Sequence, residues 1–288
     1  MKKGWKIFWI VCAVLAGAGL ACCGASYALG VTVDAIADQY PNGFGFVGGH
    51  LYDSENSSSS GHHSEDSPQT HHSEGGEVFS EVRSIEVDTF DCVVEVYEDP
   101  ALVDEVRVVT SNVDEKLKLE CYKEDDELII ETAKRVRGLN GNETRIELYI
   151  PAEYGFEEVS FDMVSGVLYA ENITATEFAL DAGAGVAEIK NFHAANADFD
   201  CGTGTLTVAG TADSEVDIDC GIGTVDYRTV GKETDYNYEI NCGIGDITCG
   251  KKEYSGIAWG KSVDNGAGKD MDIDCGIGSV TVKFAEQL

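Results

Sequence analysis

The stretch D-I-D-C-G-I-G-T-V-D-Y, Asp217 to Tyr227, decides the fold because copies of it recur along the chain. Each copy contains the phrase D-C-G-x-G, in looser form in the first two copies. The final glycine of the first four copies recurs every 19 residues, at Gly166, Gly185, Gly204 and Gly223. Two later copies end at Gly245 and Gly278, after intervals of 22 and 33 residues. A short, fixed period indicates one supersecondary unit stacked on itself.

Four aligned columns of the repeat are apolar. They lie five and three residues before the final glycine and two and four after it, which is the period of strands with one buried face. The glycine marks a corner that needs a positive φ or a close backbone approach. We therefore predict an all-β fold, a right-handed parallel β-solenoid of 19-residue coils that rise about 4.8 Å each. A weaker copy, Val87 to Val96, extends the β region upstream.

The N-terminal region predicts a membrane anchor. Residues 7–33 carry no charge and follow Lys2, Lys3 and Lys6. This pattern predicts a cytoplasmic tail at 1–6, one transmembrane helix at 7–33 and everything after it outside the cell membrane. A lipoprotein signal ending at Cys22 or Cys23 and a plain cleaved signal remain alternatives. Residues 34–77, rich in Gly, Ser and His, are predicted to be a flexible linker, and 78–288 the extracellular domain.

Composition excludes one class of partner. The chain has 52 acidic and 20 basic residues, a formal net charge of −32. Such a charge repels nucleic acid, so no nucleic-acid function is expected.

Acidic residues recur at two outward positions of the repeat, four and six residues before the final glycine. Stacked carboxylates repel and raise one another's pKa unless cations lie between them. A solvated acidic face and weak Ca²⁺ binding are the two interpretations, and no other cofactor is expected. The candidate Ca²⁺ ligands are Asp181, Asp198, Asp200, Asp217, Asp219, Asp272 and Asp274.

Cysteines occupy an inward column, at Cys201, Cys220, Cys242 and Cys275. A line of thiolates cannot surround Zn²⁺ tetrahedrally, so a zinc site is not expected. Stacked free thiols and rung-to-rung disulfides both fit the expected spacing.

The long interval before Gly278 contains an insertion, 250–268. Insertions in solenoids commonly leave the stack as binding loops. Its lysines and aromatics suit a cell-wall glycan or another surface ligand, and the candidate binding residues are Lys251, Lys252, Tyr254, Trp259 and Lys261. The alternative is an irregular coil in which Tyr254 and Trp259 cap the core.

The stretch from about Ile85 resembles the putative-adhesin family of bacterial surface domains, which are built of β-strand repeats and are of unknown function. The resemblance rests on I-E-V-x-x-x-x-x-x-V-x-V (Ile85 to Val96), on L-Y-I-P (Leu148 to Pro151) and on the D-x-G-x-G copies from Asp181. It implies a cell-surface domain behind a single membrane helix.

These features predict a non-enzymatic, adhesin-like binding protein of the cell surface. An enzyme is not expected, because no nucleophile motif, P-loop or H-E-x-x-H is present and His193 is isolated in the β region. A structural or envelope-stress accessory protein that acts through membrane partners is the alternative. A polysaccharide-active β-helix enzyme is the third possibility.

Overall fold

The computed structural model describes residues 44–47, 50–53, 76–139 and 143–286, in two units that divide between Glu65 and Asp66. In the first unit, strands β1 (Phe44–Val47) and β2 (His50–Asp53) pair antiparallel. The predicted membrane helix at 7–33 and most of the predicted linker lie outside the described residues. No helix in the described part of the chain is long and apolar enough to cross a membrane.

The second unit is built almost entirely of β-strands, as predicted. Short 3₁₀ turns lie at Glu115–Leu117 and Glu233–Asp235. The strands are β3 (Glu77–Ser80), β4 (Ser84–Asp99), β5 (Glu105–Ser111), β6 (Glu120–Glu124), β7 (Glu127–Glu131), β8 (Thr144–Pro151), β9 (Phe156–Ala170), β10 (Ile173–Ala182), β11 (Val186–Ile189), β12 (Phe192–Cys201), β13 (Thr205–Ala209), β14 (Thr211–Cys220), β15 (Thr224–Val230), β16 (Tyr236–Cys249), β17 (Lys252–Val263), β18 (Lys269–Cys275) and β19 (Ser279–Ala285).

Each copy of the repeat forms one rung of a solenoid-like stack of parallel strands. The strands before the corner pair in the order β7, β4, β9, β10, β12, β14, β18, β16. The strands after it pair in the order β8, β4, β9, β11, β13, β15, β19, β16. Leu180 lies opposite Phe199, and Ala187 opposite Leu206, so partners are 19 residues apart. The weak upstream copy joins the same stack, with Val87 opposite Phe161.

The four apolar columns line the interior, as predicted. Phe161, Leu180, Phe199, Ile218, Ile273 and Ile240 are each at most 2% exposed. Phe199 packs edge-on against Phe178 and Phe192, with ring centroids 5.8 and 5.5 Å away. Tyr227 joins this aromatic cluster and keeps its hydroxyl satisfied by donating to the Gly210 carbonyl at 3.3 Å. Burial of these large rings is the main stabilising contribution to the middle of the stack.

The corner glycines are required by close backbone approach. A Cβ at Gly204 would lie 2.3 Å from the carbonyl oxygen of Gly185, and one at Gly223 would lie 2.6 Å from that of Gly204. Of the six corner glycines, Gly166 alone has a positive φ, at 133°. Each corner therefore excludes a side chain because the neighbouring rung occupies its space.

The last rungs stack out of chain order, which the repeat spacing did not predict. Strand β14 pairs with β18, and β18 pairs with β16, so the Gly278 rung lies between the Gly223 and Gly245 rungs. The cysteine column therefore runs Cys201, Cys220, Cys275, Cys242.

The expected binding loop at 250–268 is largely a strand. β17 pairs antiparallel with β16 along its length, from Tyr238 opposite Val263 to Cys249 opposite Lys252. Because β17 covers the last parallel rung, the insertion ends the stack. At the opposite end, β5 pairs antiparallel with β8 and β6 with β7. Antiparallel strands thus cover both ends of the described stack, where open parallel edges would expose apolar columns.

Candidate functional site

Two ladders of acidic residues run along one outer face of the stack. Parallel pairing places Asp181 beside Asp200, and Asp217 beside both Asp198 and Asp272. In spatial order, the first ladder is Asp88, Asp162, Asp181, Asp200, Asp219, Asp274 and Asn241, and the second is Asp198, Asp217, Asp272 and Glu239. The structure thus brings together all seven acidic residues predicted as candidate Ca²⁺ ligands, in register on one face.

Most of the ladder charge is not neutralised by other described side chains; the exception is Asp88, whose carboxylate lies 2.6 Å from the Lys134 Nζ. Among the described residues, no ion pair involves Asp198, Asp200, Asp217, Asp219, Asp272 or Asp274. Partial burial, and then the charges of Asp162 and Asp200, raise the pKa of Asp181. Partial burial, and then Glu215 and Asp272, raise the pKa of Asp217 to about 6. Both causes disfavour the charged form, so the folded state binds protons more tightly than the unfolded chain does.

Three carboxylates come together at the second ladder. Oxygen atoms of Glu215, Asp217 and Asp272 all lie within 4.8 Å of one another. Oxygens on opposite sides of a bound Ca²⁺ are about 4.6–5.2 Å apart, twice the Ca–O distance. The cluster is therefore of the right size for one such ion, and Glu215 is a candidate ligand that the sequence argument did not name.

We expect the folded domain to lose stability as the pH rises from about 4 towards neutrality. The folded pKa values of the ladder aspartates are raised above the unfolded value, so their stabilising effect is complete below the unfolded pKa. It is lost as the pH rises through the folded pKa, about 6 for Asp217. Thermal melting of the full chain across this range, in a chelator, measures the effect. Asp217→Asn should flatten the pH dependence, and a melting temperature that rises with pH throughout would contradict this account.

A column of exposed isoleucines borders the first ladder. Ile222, Ile277 and Ile244 fill the position between the two glycines of D-C-G-x-G and are 62%, 49% and 46% exposed. The amide of Ile277 donates to the Gly221 carbonyl and that of Ile244 to the Gly276 carbonyl, so the three residues occupy successive rungs. Earlier rungs have Ala184 and Thr203 there. The repeat of Ile at this position is visible in the sequence, but its exposure is evident only in the folded chain.

The cysteine column lies directly behind this corner. Cys220, Cys275 and Cys242 are 3–4% exposed, and all described cysteines are free thiols. The Cys220 Sγ lies 2.7 Å from the position a Cβ would take at Gly278, so the thiol fills the space left by the next corner glycine. A cleft of about 710 Å³ is lined by these three cysteines together with Asp219, Asp274 and Trp259.

The five candidate ligand-binding residues of the insertion fall into two groups. Tyr254 and Trp259 stack with ring centroids 5.2 Å apart, and the Lys261 Nζ lies 5.5 Å from the Tyr254 centroid. In a regular strand, residues five positions apart point to opposite faces. Ala258 lies between Tyr254 and Trp259 and has a positive φ of 53°, which interrupts the alternation and places both rings on one face. Both rings pack against the core, as the capping alternative predicted. Lys251 and Lys252 instead contact Glu233, through the Lys251 amide and the Lys252 ammonium group.

The histidine of the β domain lies on the surface of the stack, between a hydroxyl and a carboxylate. His193 is exposed, with Nδ1 3.2 Å from the Thr211 hydroxyl and Nε2 3.5 Å from an Asp213 carboxylate oxygen. The three-carboxylate cluster and the corner cleft share no residue.

Comparisons with known proteins identify a family model and several distantly similar solved structures. The family model described as Toastrack DUF4097 matches residues 82–286. No curated protein matches the chain. Two similar solved structures are a "putative cell adhesion protein" from Clostridium sporogenes ATCC 15579 (12% identity, 73% of this chain and 98% of that chain, TM-score 0.37) and a "putative adhesin" from Parabacteroides merdae ATCC 43184 (12% identity, 72% and 94%, TM-score 0.35). A "putative adhesin" from Bacteroides fragilis NCTC 9343 is also similar (10% identity, 72% and 95%, TM-score 0.31). Likenesses this distant say nothing about ligands.

Proposed function

We propose that this chain, which belongs to the Toastrack DUF4097 family, is a non-enzymatic, adhesin-like binding module whose acidic face contacts its ligand with the help of divalent cations. The observation that supports this proposal most is the pair of carboxylate ladders. The same two positions carry acid in successive rungs, in register, and from Asp162 onward the ladder acids form no ion pair with another described residue. A surface repeated along a stack suits an extended ligand better than a single reaction centre.

We infer a role for divalent cations from the repulsion between the carboxylates of the acidic face. Carboxylates of adjacent rungs are about 4.8 Å apart and repel one another. A cation between rungs would remove this repulsion and leave coordination positions open for oxygen atoms of a ligand. The cluster of Glu215, Asp217 and Asp272 is the place where three oxygens are already near enough to share one ion.

The exposed isoleucines give the same face an apolar border. Ile222, Ile277 and Ile244 lie beside Asp219, Asp274 and Asn241 of the same rungs. An apolar column beside an acidic ladder is suited to a ligand that has both polar oxygens and apolar ring faces, as a cell-wall glycan does. We propose that the ligand makes further contacts with five residues of the insertion, Lys251, Lys252, Tyr254, Trp259 and Lys261.

We propose further that residues 7–33 anchor the chain in the cell membrane as a single span, with the β domain outside. The support is the uncharged run that follows Lys2, Lys3 and Lys6. If the chain is instead an accessory protein, it should co-purify with membrane partners through residues 1–33 and do so equally well when the acidic ladders are neutralised.

Calcium is expected to raise the melting temperature of the full chain at neutral pH by about 5 °C at saturation. Without Ca²⁺, Asp217→Asn should have a higher melting temperature than the parent protein, because one carboxylate repulsion is removed. When Ca²⁺ is added, its melting temperature should rise by less than that of the parent protein. Differential scanning calorimetry with and without millimolar Ca²⁺ measures both effects.

The matched control is Glu188→Gln, which removes one exposed acidic charge from β11, away from the ladders. It should keep the full response to Ca²⁺. No shift for the parent protein, or an equal loss in Glu188→Gln and Asp217→Asn, would overturn the proposed role of the acidic face.

A further inference from the structure

We propose that Cys220, Cys275 and Cys242 form a binding site for a soft monovalent metal ion of the Cu(I) class, held linearly between thiolates of adjacent rungs. The site is distinct from the proposed Ca²⁺ cluster of Glu215, Asp217 and Asp272, with which its cleft shares no residue, because it uses inward thiols and a soft ion where that cluster uses outward carboxylates and a hard ion.

The first argument is the spacing of the column. Cys275 is the direct register partner of Cys220 on one side and of Cys242 on the other. Adjacent parallel strands lie about 4.8 Å apart. Zn–thiolate bonds are about 2.3 Å long, so two metal–thiolate bonds of similar length in a line span roughly 4.6 Å. A row of thiols at this spacing cannot build the tetrahedral shell of Zn²⁺, but it matches the two-coordinate, linear geometry that Cu(I) accepts.

The second argument is the direction of the thiols. The Cys220 Sγ lies against Gly278, and the Cys275 Sγ lies 2.9 Å from the position a Cβ would take at Gly245. Both thiols therefore lean towards the next rung in the same way, which keeps their sulfur atoms at the rung spacing. The corner glycines make this possible, since any side chain there would displace the sulfur.

The third argument is access from solvent. The three cysteines line the corner cleft, and the other corner residues there are Gly221, Gly276 and Gly243, which have no side chains to close it. Asp219 and Asp274 line the same cleft, and their negative charge favours the entry of a cation. Neither Cys249 nor Cys92 lines this cleft.

Binding exchanges protons for the metal ion. When two thiols bind one monovalent ion, both S–H protons pass to solvent, two metal–sulfur bonds form and the site is left with one negative charge.

The test uses the full chain with Cys12, Cys22 and Cys23 replaced by serine, so that thiols outside the described residues do not compete. Cys201 is replaced by alanine in the same background, because Cys201 and Cys220 repeat the proposed geometry without Cys275: they are register partners, and the Cys201 Sγ lies 2.4 Å from the Cβ position of Gly223. The reduced protein is titrated anaerobically with Cu(I) held by a chromophoric chelator. Cys275→Ala removes the central ligand, and Ala182 in the same column shows that the fold accepts alanine there. Cys249→Ala is the control, because Ala170 fills its column in another rung.

Cys275→Ala should bind Cu(I) at least tenfold more weakly, while Cys249→Ala should bind it like the parent protein. Equal binding by the parent protein and Cys275→Ala, or an equal loss in both variants, would overturn the site. A copper K-edge spectrum of the loaded parent protein tests the geometry without any variant. Two sulfur neighbours support the proposal, and three or more neighbours or a nitrogen or oxygen shell contradict it.

Discussion

Gly204→Ala is expected to destabilise the β domain by about 3 kcal/mol or more, which lowers the melting temperature by about 10 °C. The new Cβ would lie 2.3 Å from the Gly185 carbonyl oxygen and 3.0 Å from the Gly185 nitrogen. Both are backbone atoms of the next rung, so no side-chain rotation relieves the contact. The rungs must separate locally, and this breaks the hydrogen bond from the Thr205 amide to the Gly185 carbonyl.

Gly268→Ala is the matched control. No heavy atom lies within 4 Å of the Cβ position at Gly268, and its φ is not positive. Alanine there should leave the melting temperature unchanged or slightly higher, because it restricts the unfolded chain. Thermal melting of both variants in the same buffer distinguishes the effect of substituting a corner glycine from the effect of substituting a glycine elsewhere. Similar melting temperatures for the two variants would show that the corners tolerate side chains.

Phe199→Ala is expected to cost about 4 kcal/mol in the free energy of unfolding. Phe199 is fully buried and contacts the rings of Phe178, Phe192 and Tyr227, each with a centroid less than 6 Å away. Phe192 lies on the same strand as Phe199, and Phe178 and Tyr227 lie on the neighbouring rungs, so the stacked backbone holds all three rings in place. The cavity therefore cannot collapse, and the full cavity penalty remains.

Denaturant unfolding of Phe199→Ala and of Val186→Ala measures this contribution. Val186 is 47% exposed, so its truncation should change the free energy of unfolding by less than about 0.5 kcal/mol. A Phe199→Ala variant about as stable as the parent protein would mean that the aromatic cluster does not support the middle of the stack.

Much of the surface chemistry follows from the repeat alone. Once the glycines are aligned, alternation decides that Phe199 points inward and Asp200 outward, and the parallel register places Asp181, Asp200 and Asp219 in one ladder. The isoleucine column was equally available from the sequence, but an apolar residue in a turn is not by itself a signal of exposure.

The Gly278 rung could not be placed from the sequence. The 33-residue interval before it indicates an insertion, but it does not show whether the extra residues leave the stack or join it. In strand β17, Ala258 has a positive φ of 53°, which interrupts the alternation of apolar and polar side chains. The sequence of this segment therefore does not show the period of a regular strand. Its pairing partner, β16, is known only when the chain is folded.

The all-β class, the length of the rung, the buried columns and the acidic ladders can all be derived from the amino-acid sequence, because they depend on contacts between equivalent positions of a local repeat. Tertiary structure alone decided the order of the last rungs, the strand that ends the stack, and the cleft at Cys220, Cys275 and Cys242. Those features depend on which strand edges meet, and backbone hydrogen bonding along an edge is nearly independent of side-chain identity.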